Sequence, residues 1–383
     1  MRIFIPIVAL LILCALPARA QIEPNVPAPV PGAKPVTLER IKIHATALEG
    51  NLEGDPVDRD VLVFLPPSYA TESDRHYPVV YALHSFFIGA EQFSQTTHLQ
   101  QMIEGAFAKG AKEMIVVLPD SMSIYAGSMY SSSVTTGDVE QYIARDVVTY
   151  IDAHYRTIPD RASRGLAGHS MGGYGAARIG IKHPDVFSSL YIMSACCLSA
   201  PGEEAVKPPV AKSLEAIKTP AEATSLGSLV RARMAFAAAW SPNPKNPPFY
   251  FDLPTKKGVL QPDVFAKWAA NAPLVFIDQY IDNLRMYRAI AIDVGDQDPL
   301  RPDSIKLHDV LASYGIADSF EIYHGDHGSA LPDRLQNHVI PFFSQNLCFS
   351  DDCQSKTPAP CSTCAQAPPA PPQVALPPAP DSK

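Results

Sequence analysis

Three short runs constrain this chain more than anything else in it. Val61-Leu62-Val63-Phe64-Leu65, Pro78-Val79-Val80-Tyr81-Ala82-Leu83-His84 and Met114-Ile115-Val116-Val117-Leu118 are apolar almost without a break. The first is closed by Pro66-Pro67 and the last by Pro119-Asp120. A strand with one wet face alternates apolar and polar residues. A strand apolar at every position is covered on both faces, as in a parallel sheet held between layers of helices.

The rest of the pattern agrees. Further strands are expected at Gly165-Leu166-Ala167, Leu190-Tyr191-Ile192-Met193, Ala289-Ile290-Ala291-Ile292-Asp293 and Phe320-Glu321-Ile322-Tyr323. Helical patterns lie between them. One opens at Asp138, an N-cap with Gln141 three residues on, and places Val139, Tyr142, Ile143, Val147 and Ile151 on one face. Others follow the run at 165–167 through Lys182, and span Ser304 to Tyr314 and Leu335 to Gln345. Regular alternation from about Thr37 to Leu347 predicts one three-layer α/β domain. The stretch from Ser199 to Arg288 is too long for a plain crossover and reads as a helical insertion or lid. It carries both tryptophans, Trp240 and Trp268.

Composition narrows the function classes. Of 383 residues 46% are apolar and 18% charged, which supplies a large core and excludes a disordered chain. The net charge is −8 with no basic stripe, so nucleic acid is not an expected partner. Pro is abundant at 38 residues, but 16 of these lie in the first 35 residues or after Lys356. The excess belongs to the tails: residues 21–36 read as a Pro-rich linker, and 348–383 as a Cys-containing, Ala/Pro-rich tail.

Residues 1–20 read as a secretory signal peptide, with Met1-Arg2, an apolar run from Ile3 to Leu16, and Ala18-Arg19-Ala20 as cleavage site. Pro6 and Pro17 leave the run short for a membrane span. Leu13 stands where lipidation at Cys14 would want a small residue. A secreted or periplasmic protein without stable membrane insertion is expected. Cys196 and Cys197 are adjacent, where a bridge is strained, and read as buried thiols. Cys348, Cys353, Cys361 and Cys364 read as disulfides in an oxidising compartment, with zinc as the alternative.

The chemistry centres on Gly168-His169-Ser170-Met171-Gly172, a G-x-S-x-G motif with a strand before it and a helix after. The glycines permit a tight turn that lifts the Ser170 hydroxyl above the sheet. A neutral serine needs a base, and the base an orienting acid, in the chain order Ser, Asp or Glu, His. His324 and His327 both follow the last strand, where a parallel sheet presents its ligand-binding loops. His327, between Asp326 and Gly328, is the expected base and His324 its competitor. Asp293, Asp296 and Asp298 follow the preceding strand and are the candidate acids; a small-cation site there lacks a full calcium-loop pattern. The oxyanion intermediate needs two backbone donors. One is expected from Met171, the other from Ser85-Phe86-Phe87-Ile88-Gly89.

These segments resemble the esterase D and antigen 85 group of α/β-hydrolases. Tyr77 to His84 is similar to its oxyanion strand, Tyr155-Arg156-Thr157-Ile158 with Arg164 to Ala176 to its nucleophile region, Asp293 to Asp298 to its acid loop and Gly325-Asp326-His327 to its histidine loop. The resemblance covers most of residues 55–347 outside the insertion. It implies an α/β-hydrolase fold, a mostly parallel central sheet flanked by helices with a helical insertion. It also implies serine ester hydrolysis, with Asp298 as the acid and the Phe86 N–H as second oxyanion donor. Ser85 departs from the glycine common at that position, which would matter if positive φ were needed there.

The resulting expectation is an exported serine esterase acting through an acyl-enzyme on Ser170, on a small-molecule or polymer-linked ester, with no cofactor and no metal. An acyltransferase using the same acyl-enzyme and a non-catalytic binding protein on this scaffold are the alternatives. The insertion is expected to fold over Ser170, with Trp240 and Trp268 in the substrate wall.

Overall fold

A computed structural model describes residues 24–202 and 207–350. The signal-peptide segment and Cys353, Cys361 and Cys364 lie outside the described residues.

Eight strands form the central sheet: β1 (Thr37–His44), β2 (Asp58–Leu65), β3 (Val79–Leu83), β4 (Ile115–Pro119), β5 (Arg164–His169), β6 (Ser189–Met193), β7 (Ala289–Gly295) and β8 (Ser319–Tyr323). Their order is β1-β2-β4-β3-β5-β6-β7-β8. The pairs β1–β2 and β2–β4 are antiparallel and the others parallel. The continuous apolar runs have the cause expected of them. Val79, Tyr81 and Leu83 enter one buried layer while Val80 and Ala82 enter the other, so β3 has no wet face. The edge strand β1 has only one fully buried residue, Ile43, and carries no apolar run to announce it.

The Asp138 cap is present: its carboxylate accepts from the Gln141 N–H at 3.0 Å. Helix α1 (Met171–Lys182) packs on β5 and β6 beneath the nucleophile turn. The 199–288 insertion contributes helices α2 (Ser228–Trp240) and α3 (Pro262–Ala270), among shorter ones. It docks along α1, where Tyr174 and Arg178 donate to Asn271 O and Asn283 donates to Ile181 O. Helix α4 (Arg301–Ser313) follows the acid loop.

Residues 24–36 correct the reading of that segment as a linker. Asn25 N–H donates to Ser329 O, Gln101 Nε2 to Pro27 O, and Val36 N–H to Glu104. Val36 is buried and Val26 packs on the core layer beside it. Proline-rich chain loses little entropy on docking, so a few apolar anchors and hydrogen bonds suffice to hold it. Composition alone does not reveal such anchors.

Candidate active site

Parallel strands deliver their C-terminal ends to one edge, and four loops meet there. The nucleophile turn is the tightest. Ser170 sits at φ +60° and ψ −114°, a conformation that L-residues avoid. It persists because the surroundings leave no alternative. A Cβ on Gly168 would overlap the Gly172 backbone, and one on Gly172 would overlap the Leu83 carbonyl. Ser170 N–H donates to Met193 O, and Ser170 O accepts from Cys196 N–H at 3.1 Å. The strain is thus held by its neighbours on both strands.

The loops after β7 and β8 bring the partners. Ser170 Oγ lies 2.9 Å from His327 Nε2, and His327 Nδ1 lies 2.8 Å from Asp298 Oδ2. The other Asp298 oxygen accepts from Leu300 N–H at 2.8 Å. Burial pushes the Asp298 carboxyl up, but hydrogen bonds from His327 and Leu300 outweigh it and leave its pKa below the usual value. A carboxylate so held fixes the imidazole with Nδ1–H toward Asp298 and the Nε2 lone pair toward the serine.

The other candidates are occupied elsewhere. Asp296 pairs with His324 at 3.0 Å, on the surface, with His324 84% exposed. The two loops therefore build two Asp–His pairs, and only the buried one reaches Ser170. Asp293 is fully buried and bonded to Arg334 and Tyr191. The three carboxylates face different partners and do not converge on a common point.

Met171 and Phe86, the expected oxyanion donors, flank the serine. Among the described residues neither backbone N–H donates to a protein acceptor. Their side chains converge over Gly127, where a Cβ would come within 2.6 Å of both the Met171 sulfur and the Phe86 ring. Positive φ falls on Phe87, at +69°, and Ser85 is not among the positive-φ residues. The departure from glycine at Ser85 therefore adds no backbone strain.

Ser85 has a side-chain use that the sequence reading missed. Its Oγ lies 2.7 Å from His169 Nδ1, and His169 Nε2 lies 2.7 Å from the His327 carbonyl oxygen. A carbonyl only accepts, so Nε2 carries the proton and Nδ1 accepts from the Ser85 hydroxyl. Burial, and next the nearby His327, pull the His169 pKa down to about 3, so the ring is neutral. The chain Ser85–His169–His327 ties the oxyanion loop to the base loop beneath the serine. The signal available was a histidine inside the motif together with a hydroxyl in place of a glycine.

Ser170 and His327 open onto a cleft of about 340 Å³ lined chiefly by Phe86, Phe87, Ile88, Phe93, Leu331 and Pro24. Pro24 belongs to the docked N-terminal segment. Trp240 and Trp268 require a correction: neither lines this cleft. Trp268 Nε1 donates to Ser241 Oγ and Trp240 Nε1 to Ser131 Oγ. Both rings are buried in a cluster with Phe236, and Trp240 also packs on Tyr174. Trp240 helps seat the insertion against α1 through Tyr174.

Comparison with known proteins gives a consistent picture. A family model for Esterase matches residues 56–328. A curated esterase of Mycobacterium tuberculosis, found in two strains, is 32% identical over 130 residues, 34% of this chain and 27% of the relative. The chain thus spans about a quarter of the length of that relative. Among solved structures, a ferulic acid esterase superposes with a TM-score of 0.56 at 22% identity, covering 82% of this chain and 99% of the other. The apoenzyme of a Staphylococcus aureus S-formylglutathione hydrolase gives 0.54 at 16% identity, covering 81% and 100%. A fluorophosphonate-binding serine hydrolase of the same organism gives 0.56 at 17%, covering 81% and 99%. At these identities the structural likeness speaks for the α/β-hydrolase fold.

Proposed function

The chain belongs to the Esterase family, and from that premise we propose that it hydrolyses carboxylic esters through an acyl-enzyme on Ser170. The observation that carries the reading is the unbroken line Ser170 Oγ, His327, Asp298, at 2.9 and 2.8 Å. His327 Nε2 takes the hydroxyl proton as Oγ attacks the ester carbonyl. Asp298 stabilises the imidazolium that forms. The N–H groups of Met171 and Phe86 bind the developing oxyanion. His327 then gives its proton to the leaving alcohol. Water entering the vacated space is deprotonated by the same nitrogen, attacks the acyl carbonyl, and the acid leaves with Ser170 restored.

The cleft beside Ser170 presents aromatic and aliphatic carbon and no charged side chain. It favours an apolar or aromatic group on the ester over a charged one. The N-terminal sequence supports export, with cleavage near Ala20; no helix among the described residues is long and apolar enough to cross a membrane. A panel of acyl esters assayed with the processed protein tests the substrate reading: esters with charged acyl groups should be turned over at least about ten-fold less efficiently than apolar ones. Equal turnover would reject it.

A further inference from the structure

A second cleft, of about 380 Å³, lies between the insertion and α4 and shares no lining residue with the Ser170 cleft. Its floor is aromatic, from Phe236, Trp240 and Trp268, and its walls include Cys197, Ser199, Arg233, Asp303 and Lys306. The polar groups are unevenly matched. Asp303 accepts from Ser199 N–H at 3.0 Å and Ser199 Oγ at 2.6 Å, and Lys306 Nζ stands 3.6 Å away. Arg233 has no such arrangement. Its Nε is buried without an acceptor, and its guanidinium lies over the Phe236 ring, 5.2 Å from the centroid. Burial pulls its pKa below the ordinary value. Among the described residues no carboxylate pairs with this half-buried cation, and an unpaired polar group of that kind calls for a partner.

We propose that this cleft binds a small organic monoanion, a carboxylate on a compact apolar body, with Arg233 as its counter-ion. The guanidinium fork matches a carboxylate in two parallel hydrogen bonds. Lys306 stands at the rim beside Asp303 and donates to Ser199 Oγ, which leaves Arg233 to meet the anion, and the aromatic floor limits water around it. Asp303, already engaged, does not compete for Arg233. The site differs in chemistry from the uncharged cleft at Ser170, and it stands whether or not Ser170 is a nucleophile.

Trp240 and Trp268 are the only two tryptophans of the chain, and both lie in this floor. Tryptophan fluorescence therefore reports on the aromatic cluster that lines the cleft. Benzoate should give a saturable change, and benzamide, its neutral isostere, should bind at least about ten-fold more weakly. Arg233→Met should weaken benzoate by at least about ten-fold while leaving benzamide and the hydrolysis of a short neutral ester unchanged. Should Arg233→Met fail to fold, Arg233→Gln makes the same comparison. Benzoate binding should also persist after fluorophosphonate labelling of Ser170. No saturable change, equal binding of benzamide, indifference to the Arg233 substitution, or loss of binding on labelling would each overturn the proposal.

Discussion

His169 Nε2 donates a hydrogen bond to the carbonyl oxygen of His327 across 2.7 Å, inside the nucleophile turn. The residue before the serine thereby holds the backbone of the residue proposed as the base. Because Ser85 donates to the other nitrogen, three segments far apart in sequence are tied together by side-chain hydrogen bonds.

Ser85→Ala leaves His169 Nδ1 buried without a donor. The expected cost is about 1–3 kcal/mol of stability. The base loop should be less well positioned, lowering kcat by about three- to ten-fold, with KM nearly unchanged. Thermal melts and steady-state kinetics on one ester check both. A rise in KM with constant kcat would place Ser85 in ground-state binding instead.

His169 also sets a pH dependence of stability. Its folded pKa is about 3, well below the unfolded value of about 6.5. Below about pH 6.5 the unfolded chain takes up a proton that the folded one refuses. Stability is therefore fully present above that pH and falls by roughly 1.4 kcal/mol per unit as pH drops toward 3. His169→Gln, lacking the titrating ring, should flatten this slope by one proton. Denaturant unfolding of both proteins between pH 4 and 7 measures it; equal slopes would show that His169 is already protonated in the fold.

Asp298→Asn should reduce kcat by about 10³- to 10⁴-fold, because the amide favours the wrong imidazole tautomer. Asp296→Asn keeps an oxygen for the Gly325 N–H, loses the charge that faces exposed His324, and should stay within about two-fold of wild type. A larger loss from the Asp296 substitution would exchange the two roles.

Much of this was legible in the sequence. The buried strands announced themselves because a sheet covered on both faces has no polar positions. Ser170 was fixed by the turn its glycines require. The choice between Asp296 and Asp298 was not fixed by the residues, since two carboxylates two positions apart in one loop look equivalent until one is buried. The resemblance favoured Asp298, and the geometry brings that residue to His327. The tryptophans misled because an aromatic cluster in an insertion has the same composition whether it walls the Ser170 cleft or packs away from it. The docking of Pro24 and Val26 was hidden because proline-rich composition does not distinguish a free tail from one held by a few anchors.

That docked segment carries its own prediction. Processed protein beginning at Ala28 lacks Pro24 from the cleft wall and the Asn25–Ser329 hydrogen bond. For apolar acyl esters KM should rise by about three- to ten-fold while kcat changes little, because a wall contributes equally to ground and transition states. Unchanged KM across acyl lengths would show that the segment covers the domain without shaping the cleft.

The central claim is that Ser170 is the nucleophile. Its most direct test is to label the purified protein with a fluorophosphonate and map the adduct by peptide mass, beside the Ser170→Ala protein. Stoichiometric labelling on Ser170 with loss of ester hydrolysis is expected. Ser170→Ala should stay folded, take no label and lose at least about 10³-fold in rate. A folded Ser170→Ala protein that still hydrolyses esters at more than about a tenth of the wild-type rate, or an adduct on another serine, would contradict it.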